Sequence, residues 1–209
     1  MEKKRLGVLV SGRGSNLQAL IDASKKDDYP AKVVVVISNK REAYAIERAK
    51  KENIPVYVVK REDYRSKREY EEKIREILLE YKVDLVVLAG YMKIIGKTLL
   101  DAFPWKIINI HPSLLPSFPG LEAQKKALEY GVKISGCTVH FVDEGIDSGP
   151  IIGQRAVPVY DDDTPETLAE RILQEEHKLI VESVKKILTE EYKIIGRRVV
   201  FKKKGAENI

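Results

Sequence analysis

An α/β fold built on a mostly parallel β-sheet is what this sequence predicts, and three observations carry the prediction. Four short runs, LGVLV (6–10), VVVVI (33–37), PVYVV (55–59) and DLVVLAG (84–90), are almost continuous in Val, Ile and Leu, the pattern of strands buried on both faces. Amphipathic stretches near 16–26, 41–53 and 66–82 separate them, so strand and helix alternate as in βαβ units. A composition of 44% hydrophobic and 33% charged residues over 209 positions suits one good core, and a single domain is expected.

The elements follow in order. The first strand runs straight into Ser11-Gly12-Arg13-Gly14-Ser15-Asn16 and then into a helix. A fifth run, WKIINI (105–110), extends the sheet and delivers Asn109 and His111 to its carboxyl edge, where ligands of open α/β sheets bind. Pro112, Pro116 and Pro119 crowd the next eight residues. Proline fixes φ and lacks a backbone donor, so INIHPSLLPSFPG (108–120) must leave the strand as a stiff, extended loop. LEAQKKALEYG (121–131) reads as a helix stopped by Gly131, and KISGCTVHFV and PIIGQRAVPV read as two further strands. Asp163 and Thr164 offer N-caps, with Pro165 in the first turn, to a long C-terminal helix. The tail EYKIIGRRVVFKKKGAENI is expected to add a hairpin before a polar end.

Composition narrows the function. The N-terminal apolar run is far short of the ~18 residues of a membrane span, and no leader-peptide pattern follows it. Cys137 is alone, which rules out an intrachain disulfide and suits a cytoplasmic protein; on a strand it reads as a small buried residue. The net charge of +5 comes from basic residues interleaved with acids, as in KREDYRSKREYEEKIRE, the look of solvated helix faces. No nucleic-acid partner and no membrane partner is expected.

Three places can carry chemistry. Glycines in the 11–16 loop let the backbone approach an anion, and free N–H groups at the helix start, with Ser15 and Asn16, make a phosphate pocket. The loop lacks the third glycine of GxGxxG and the lysine of a P-loop, so a single phosphate monoester fits it better. The second place is Asn109 with His111. The third is DEGIDSGPI (143–151), which sets Asp147 in a turn. Taken singly, each has a plain structural reading: a capped glycine turn, a strand-end donor, a turn former. Together, an amide donor for an oxyanion, an imidazole for proton traffic and a carboxylate to set its charge suit acyl transfer. His111, His140 and His177 share no metal-binding spacing, and no serine sits in a GxSxG elbow, so neither a metal nor a serine nucleophile is expected.

Through VLVSGRGSNLQALID, DLVVLAGYMKII, INIHPSLLPSFPG, GCTVHFVDEGIDSGPII and QEEHKLI, the chain resembles the glycinamide ribonucleotide formyltransferases, the folate-dependent transformylases of purine synthesis. The resemblance implies a Rossmann-like, mostly parallel twisted sheet with an antiparallel C-terminal part. It implies one domain over 1–209, with phosphate-binding βαβ units to about residue 100 and the folate site and catalytic loops after it. Asn109, His111 and Asp147 would be catalytic. Gly14, Ser15 and Asn16 would hold the substrate's ribose phosphate, with Glu176 near its glycinamide end. Met92, Lys93, Ile94 and Ile95, with Asn109 and the turn Asp143, Glu144, Gly145, Ile146 and Asp147, would embrace the folate. The family's tail-binding arginine falls on Lys67, with Arg68 beside it; lysine supplies charge without a bidentate fork. The implied reaction moves a formyl group from 10-formyltetrahydrofolate, a co-substrate, to the amine of glycinamide ribonucleotide, with no metal. Asp147 is expected to raise the pKa of His111, so that a protonated His111 joins Asn109 in donating to the oxyanion. A cytoplasmic monomer or homodimer acting on small molecules is implied. The related methionyl-tRNA formyltransferase and formyltetrahydrofolate hydrolase share INIHPSLLP in weaker form, but would call for additional domains.

Overall fold

The computed structural model describes residues 2–203. The chain divides into two compact units, one holding the residues up to Asn109 with Val142–Glu144, the other Ile110–Phe141 and the residues from Gly145 onward.

The first unit contains strands β1 (Lys4–Val10), β2 (Ala31–Ser38), β3 (Val56–Val58), β4 (Leu85–Leu88) and the start of β5 (Ile107–His111), alternating with helices α1 (Ser15–Ser24), α2 (Ala45–Lys51), α3 (Lys67–Glu80) and α4 (Lys97–Ala102). Its strands run parallel in the order β3-β2-β1-β4-β5. Starting on β1, the chain winds outward to β3, then returns past β1 to β4, so the connections leave in opposite directions from β1 and β4. That reversal opens a crevice at the carboxyl ends of the two strands. The segments after β1 and after β4 border it.

Helix α3 shows why the layers hold. Ser66 accepts a hydrogen bond from the Glu69 N–H and starts the helix, and Tyr70, Ile74, Ile77 and Leu78 recur at helical spacing on its buried face. They pack in one core with Leu9, Ile37, Leu88, Leu99 and Ile107, each large aliphatic contributing on the order of 1.5–3 kcal/mol by burial. The expected helix over 41–53 is shorter, because 41–44 form a turn whose next residue, Ala45, donates its N–H to the Gly12 carbonyl at 3.0 Å. Helix α4 and a 3-10 turn at Arg61–Asp63 were not foreseen. Six residues with one buried side chain, Leu99, are too few to display a period.

In the second unit, α5 (Ala123–Tyr130) ends at Gly131 with φ +87°, the left-handed conformation glycine adopts freely. Strands β6 (Ile134–Phe141) and β7 (Ile151–Pro158) pair antiparallel. Helix α6 (Pro165–Thr189) covers them with Leu168, Ile172, Leu179, Ile180, Val184 and Ile187. Its cap is Thr164; Asp163, the other expected cap, binds the Arg171 guanidinium at 2.8 Å. The tail forms the expected hairpin, β8 (Tyr192–Ile195) and β9 (Arg198–Phe201), with β9 joined to β7 by a parallel bridge. The polar end, 204–209, lies outside the described residues. The class is therefore mixed α/β, parallel through β5 and mainly antiparallel after it.

Candidate active site

The proline loop fastens the second unit's polar centre. The Thr138 hydroxyl on β6 donates to the Ser113 carbonyl at 2.8 Å and accepts from the Leu115 N–H at 3.1 Å and from Gln154 Nε2 on β7 at 3.0 Å. Gln154 also donates to the Leu115 carbonyl at 2.9 Å. Held from both strands, the loop aims the Phe118 carbonyl at His111 Nε2, 2.8 Å away. A carbonyl can only accept, so Nε2 carries the proton and Nδ1 is the basic nitrogen of the neutral ring. Nδ1 lies 3.4 Å from Asp147 Oδ2.

Asp147 occupies the left-handed region at φ +51°, which aspartate tolerates better than most residues with a Cβ. Its Oδ2 accepts the Gly120 N–H at 2.8 Å, and its Oδ1 stands 3.8 Å from His140 Nε2. Burial pushes its pKa upward, but hydrogen bonds from His140 and the Gly120 N–H, with charge from both histidines, outweigh burial and hold the carboxyl below its usual value. For His111 the balance is reversed, and this corrects the expectation of a resting imidazolium. Burial lowers its pKa by more than the Phe118 carbonyl and Asp147 raise it, so the ring rests neutral at neutral pH. His140, noticed in the sequence only as a histidine without a metal pattern, is buried on β6 with its Nδ1 held by the Phe141 carbonyl at 2.8 Å. The signal for it was weak, since nothing local tells a core histidine from one facing a carboxylate.

In the first unit, the 11–16 loop leaves β1 at the crevice. Gly14 caps α1 at φ +75°, and a Cβ there would meet Ala45 Cβ at 2.5 Å and Ala45 Cα at 2.8 Å. Arg48 on α2 donates to the Arg13 carbonyl at 2.7 Å, so α2 fixes the loop from behind. Ser15 begins α1, and Asn16 is buried in its first turn. Gly14→Ala combines about 1–2 kcal/mol of left-handed strain with that clash, so the variant is expected to melt several degrees below the wild type, as thermal unfolding will read. Met92, Lys93 and Ile94 are exposed and Ile95 is buried. The Met92 N–H donates to Ser11 Oγ at 2.8 Å, and Ser11 donates to Asn39 Oδ1 at 2.5 Å. Asn109 sits midway along β5, opposite Leu88 at the carboxyl end of β4, and the Val142 N–H, just before Asp143 and Glu144, donates to the Ile107 carbonyl at 2.9 Å.

Of the two candidates for the tail site, Arg68 is drawn to Glu72 at 2.9 Å and is largely in solvent. Lys67 lies over Gly96, its Cε 3.0 Å from where a Cβ on that residue would sit. Both line a groove of about 680 Å³ with Glu71, Gly96 and Lys97. In the second unit, Glu176 is buried on α6, close enough to Cys137 to raise the pKa of its thiol, after burial, to about 12. A thiol so protonated is no nucleophile at neutral pH. Gly145 and Ile146 are exposed in the turn before Asp147. Among the described residues no group of three His, Cys, Asp or Glu side chains is placed to hold a metal, and no helix is long and apolar enough to cross a membrane.

A buried imidazole that can take a proton beside a fixed carboxylate, carried on an α/β fold, suits an acyl-transferring enzyme. The chain belongs to the formyl transferase family, whose profile matches residues 4–184. The phosphoribosylglycinamide formyltransferase of Bacillus subtilis is 44% identical over 185 residues, covering 88% of this chain and 95% of that protein. The trifunctional purine biosynthetic protein adenosine-3 of Chironomus tentans is 48% identical over 177 residues, 84% of this chain, which spans 13% of that much longer protein. The crystal structure of glycinamide ribonucleotide transformylase 1 from Symbiobacterium toebii superposes with a TM-score of 0.94 at 48% identity, covering 96% of this chain and 95% of that one.

Proposed function

We propose that the chain transfers the formyl group of 10-formyltetrahydrofolate to the primary amine of N1-(5-phospho-D-ribosyl)glycinamide, giving the N2-formyl product and tetrahydrofolate, in purine biosynthesis. The observation that carries the reading is the neutral His111, its Nε2–H committed to the Phe118 carbonyl and its Nδ1 3.4 Å from Asp147. Relatives named for this reaction support it.

An α-amino group has a pKa of roughly 7.7–8.0, so a fair fraction of the substrate amine is already nucleophilic in the cell. Attack on the formyl carbon builds negative charge on its oxygen and positive charge on the amine nitrogen. The Asn109 amide donates to that oxygen. His111 Nδ1 takes the amine's proton, directly or through a water, and Asp147 stabilises the imidazolium so formed; the same proton then goes to the departing N10 of the folate. Neutral His111 is thus the base first and the acid second. Gly14, Ser15 and Asn16 hold the ribose phosphate, Glu176 serves the glycinamide end, Lys67 the folate's glutamate tail, and the 92–95 segment with the 143–147 turn the pterin.

Purified protein supplied with 10-formyltetrahydrofolate, with and without the ribonucleotide, tests this spectrophotometrically. Deformylation that requires the ribonucleotide is expected. Deformylation without it identifies a hydrolase, and formylation of charged initiator tRNA identifies the tRNA-acting transferase.

A further inference from the structure

Glu71 is an unusual residue to find in the core: a carboxylate only 2% exposed, on the inner face of α3. An anion in such a place is strongly unfavourable unless its oxygens are bonded. Here they accept the Gly96 N–H at 2.7 Å and, more loosely, the Leu99 N–H at 3.4 Å. Both donors belong to the stretch that follows Met92–Ile95. One residue earlier on α3, Tyr70 joins its hydroxyl to that of Tyr91, at the other end of the same segment, and Ser11 holds the Met92 N–H. The 91–96 segment is therefore pinned at both ends, while Met92 and Ile94 between them stand 53% and 52% exposed. Apolar side chains presented to solvent on a stretch of backbone anchored from beneath make a surface prepared for a flat, partly apolar ligand.

Gly96 belongs to the same device. A Cβ there would come within 2.9 Å of Glu71 Oε1 and 3.0 Å of Lys67 Cε, so only glycine lets both side chains close over the backbone. Lys67 and Glu71, one helical turn apart, thus share Gly96.

We propose that Glu71, assisted by Tyr70, is a positioning residue for the formyl donor: it fixes the 92–95 segment against α3, and so sets affinity for folate without touching the ribonucleotide. The inference rests on the reading of 92–95 as a folate contact. A glutamine at 71 has one acceptor and one donor, so it turns an N–H₂ toward a backbone N–H that needs an acceptor.

The test is steady-state kinetics with both substrates varied. Glu71→Gln is expected to raise the KM for 10-formyltetrahydrofolate about tenfold or more, the size of a lost hydrogen bond to a charged group, while kcat at saturating folate and the KM for the ribonucleotide stay put. Glu71→Asp, which keeps the charge one methylene short, falls between. Tyr70→Phe shifts the same KM in the same direction by less, and gives the answer if Glu71→Gln does not fold. An equal rise in both KM values, or a lower Tm with an unchanged folate KM, overturns the inference. A wild-type protein that forms no formylated ribonucleotide removes the functional reading and this inference with it. One that transfers normally, with both variants retaining the wild-type folate KM, removes the inference alone.

Discussion

Asp147→Asn is expected to fold and yet to lose about 10²–10⁴ in turnover, the range a positioned acid–base group contributes. Asparagine keeps the shape and still offers an oxygen to the Gly120 N–H, now 2.8 Å from Oδ2. Because that oxygen is also the one facing His111 Nδ1 at 3.4 Å, the amide nitrogen falls on the other side, toward His140 Nε2, and His111 is left beside a neutral carbonyl oxygen in place of a carboxylate. The counter-charge thereby disappears. Burial already holds His111 below its ordinary value, with Asp147 among the influences that raise it, so removing Asp147 lowers the pKa further. The pH profile checks the assignment independently. Because the wild-type ring is neutral, its rate is expected to survive as pH falls through the usual imidazole range near 6.5 and to fail only below it; in Asp147→Asn the acid limb moves lower still. A resting imidazolium would have given the opposite sign, with rate lost as pH rose. Stability follows the same direction. The unfolded chain binds protons at His111 below about pH 6.5 before the native state does, and at Asp147 the native state, with its lowered pKa, resists protonation that the unfolded chain accepts. Both groups therefore cost stability on acidification, His111 from its unfolded value downward and Asp147 from its own. Wild-type turnover in Asp147→Asn would falsify the relay.

Asn109→Ala is expected to cost roughly 10²–10³ in kcat, the loss that follows removal of one oxyanion donor. Asn109 and His111 stand two apart on β5, so their side chains leave the same face of the strand. Asn109→Asp sharpens the experiment, since a carboxylate fills the same volume and can only accept. It is expected to be at least as damaging as alanine, whereas a volume-filling role would leave it nearly harmless. Rates near wild type in both variants would take Asn109 out of the chemistry.

Much of this was legible in the sequence because it is written locally. Continuous Val/Ile/Leu runs announce parallel strands, three prolines in eight residues announce a rigid loop, and glycines between strand and helix announce a tight turn. What escaped depends on distances between remote residues. The sign of the His111 pKa is a contest between burial and a carboxylate 36 positions later, and no local pattern says which prevails. His140 reads as one more alternate position on a strand until β6 turns it toward Asp147. Glu71 looks like one of many acids on a charged helix, and only the fold shows that it alone faces inward to meet Gly96. Helix α4 was too short to announce itself. The different neighbours of Lys67 and Arg68, Gly96 for the first and Glu72 for the second, were likewise invisible in the sequence.

The hydroxyl of Thr138 gives the molecule an unexpected point of fragility. Three hydrogen bonds meet at that single oxygen, and through them the β6–β7 hairpin dictates where the Phe118 carbonyl stands and hence which nitrogen of His111 is left basic. Valine has almost the same volume and is at home in strands, so position 138 looks freely exchangeable by every measure of packing. Yet a methyl in place of that oxygen strands the Leu115 N–H and the Ser113 carbonyl and releases the proline loop. The room for neutral drift in this hairpin is thus narrower than its hydrophobicity suggests, because one of its apparently architectural side chains sets the protonation geometry of a base it never touches.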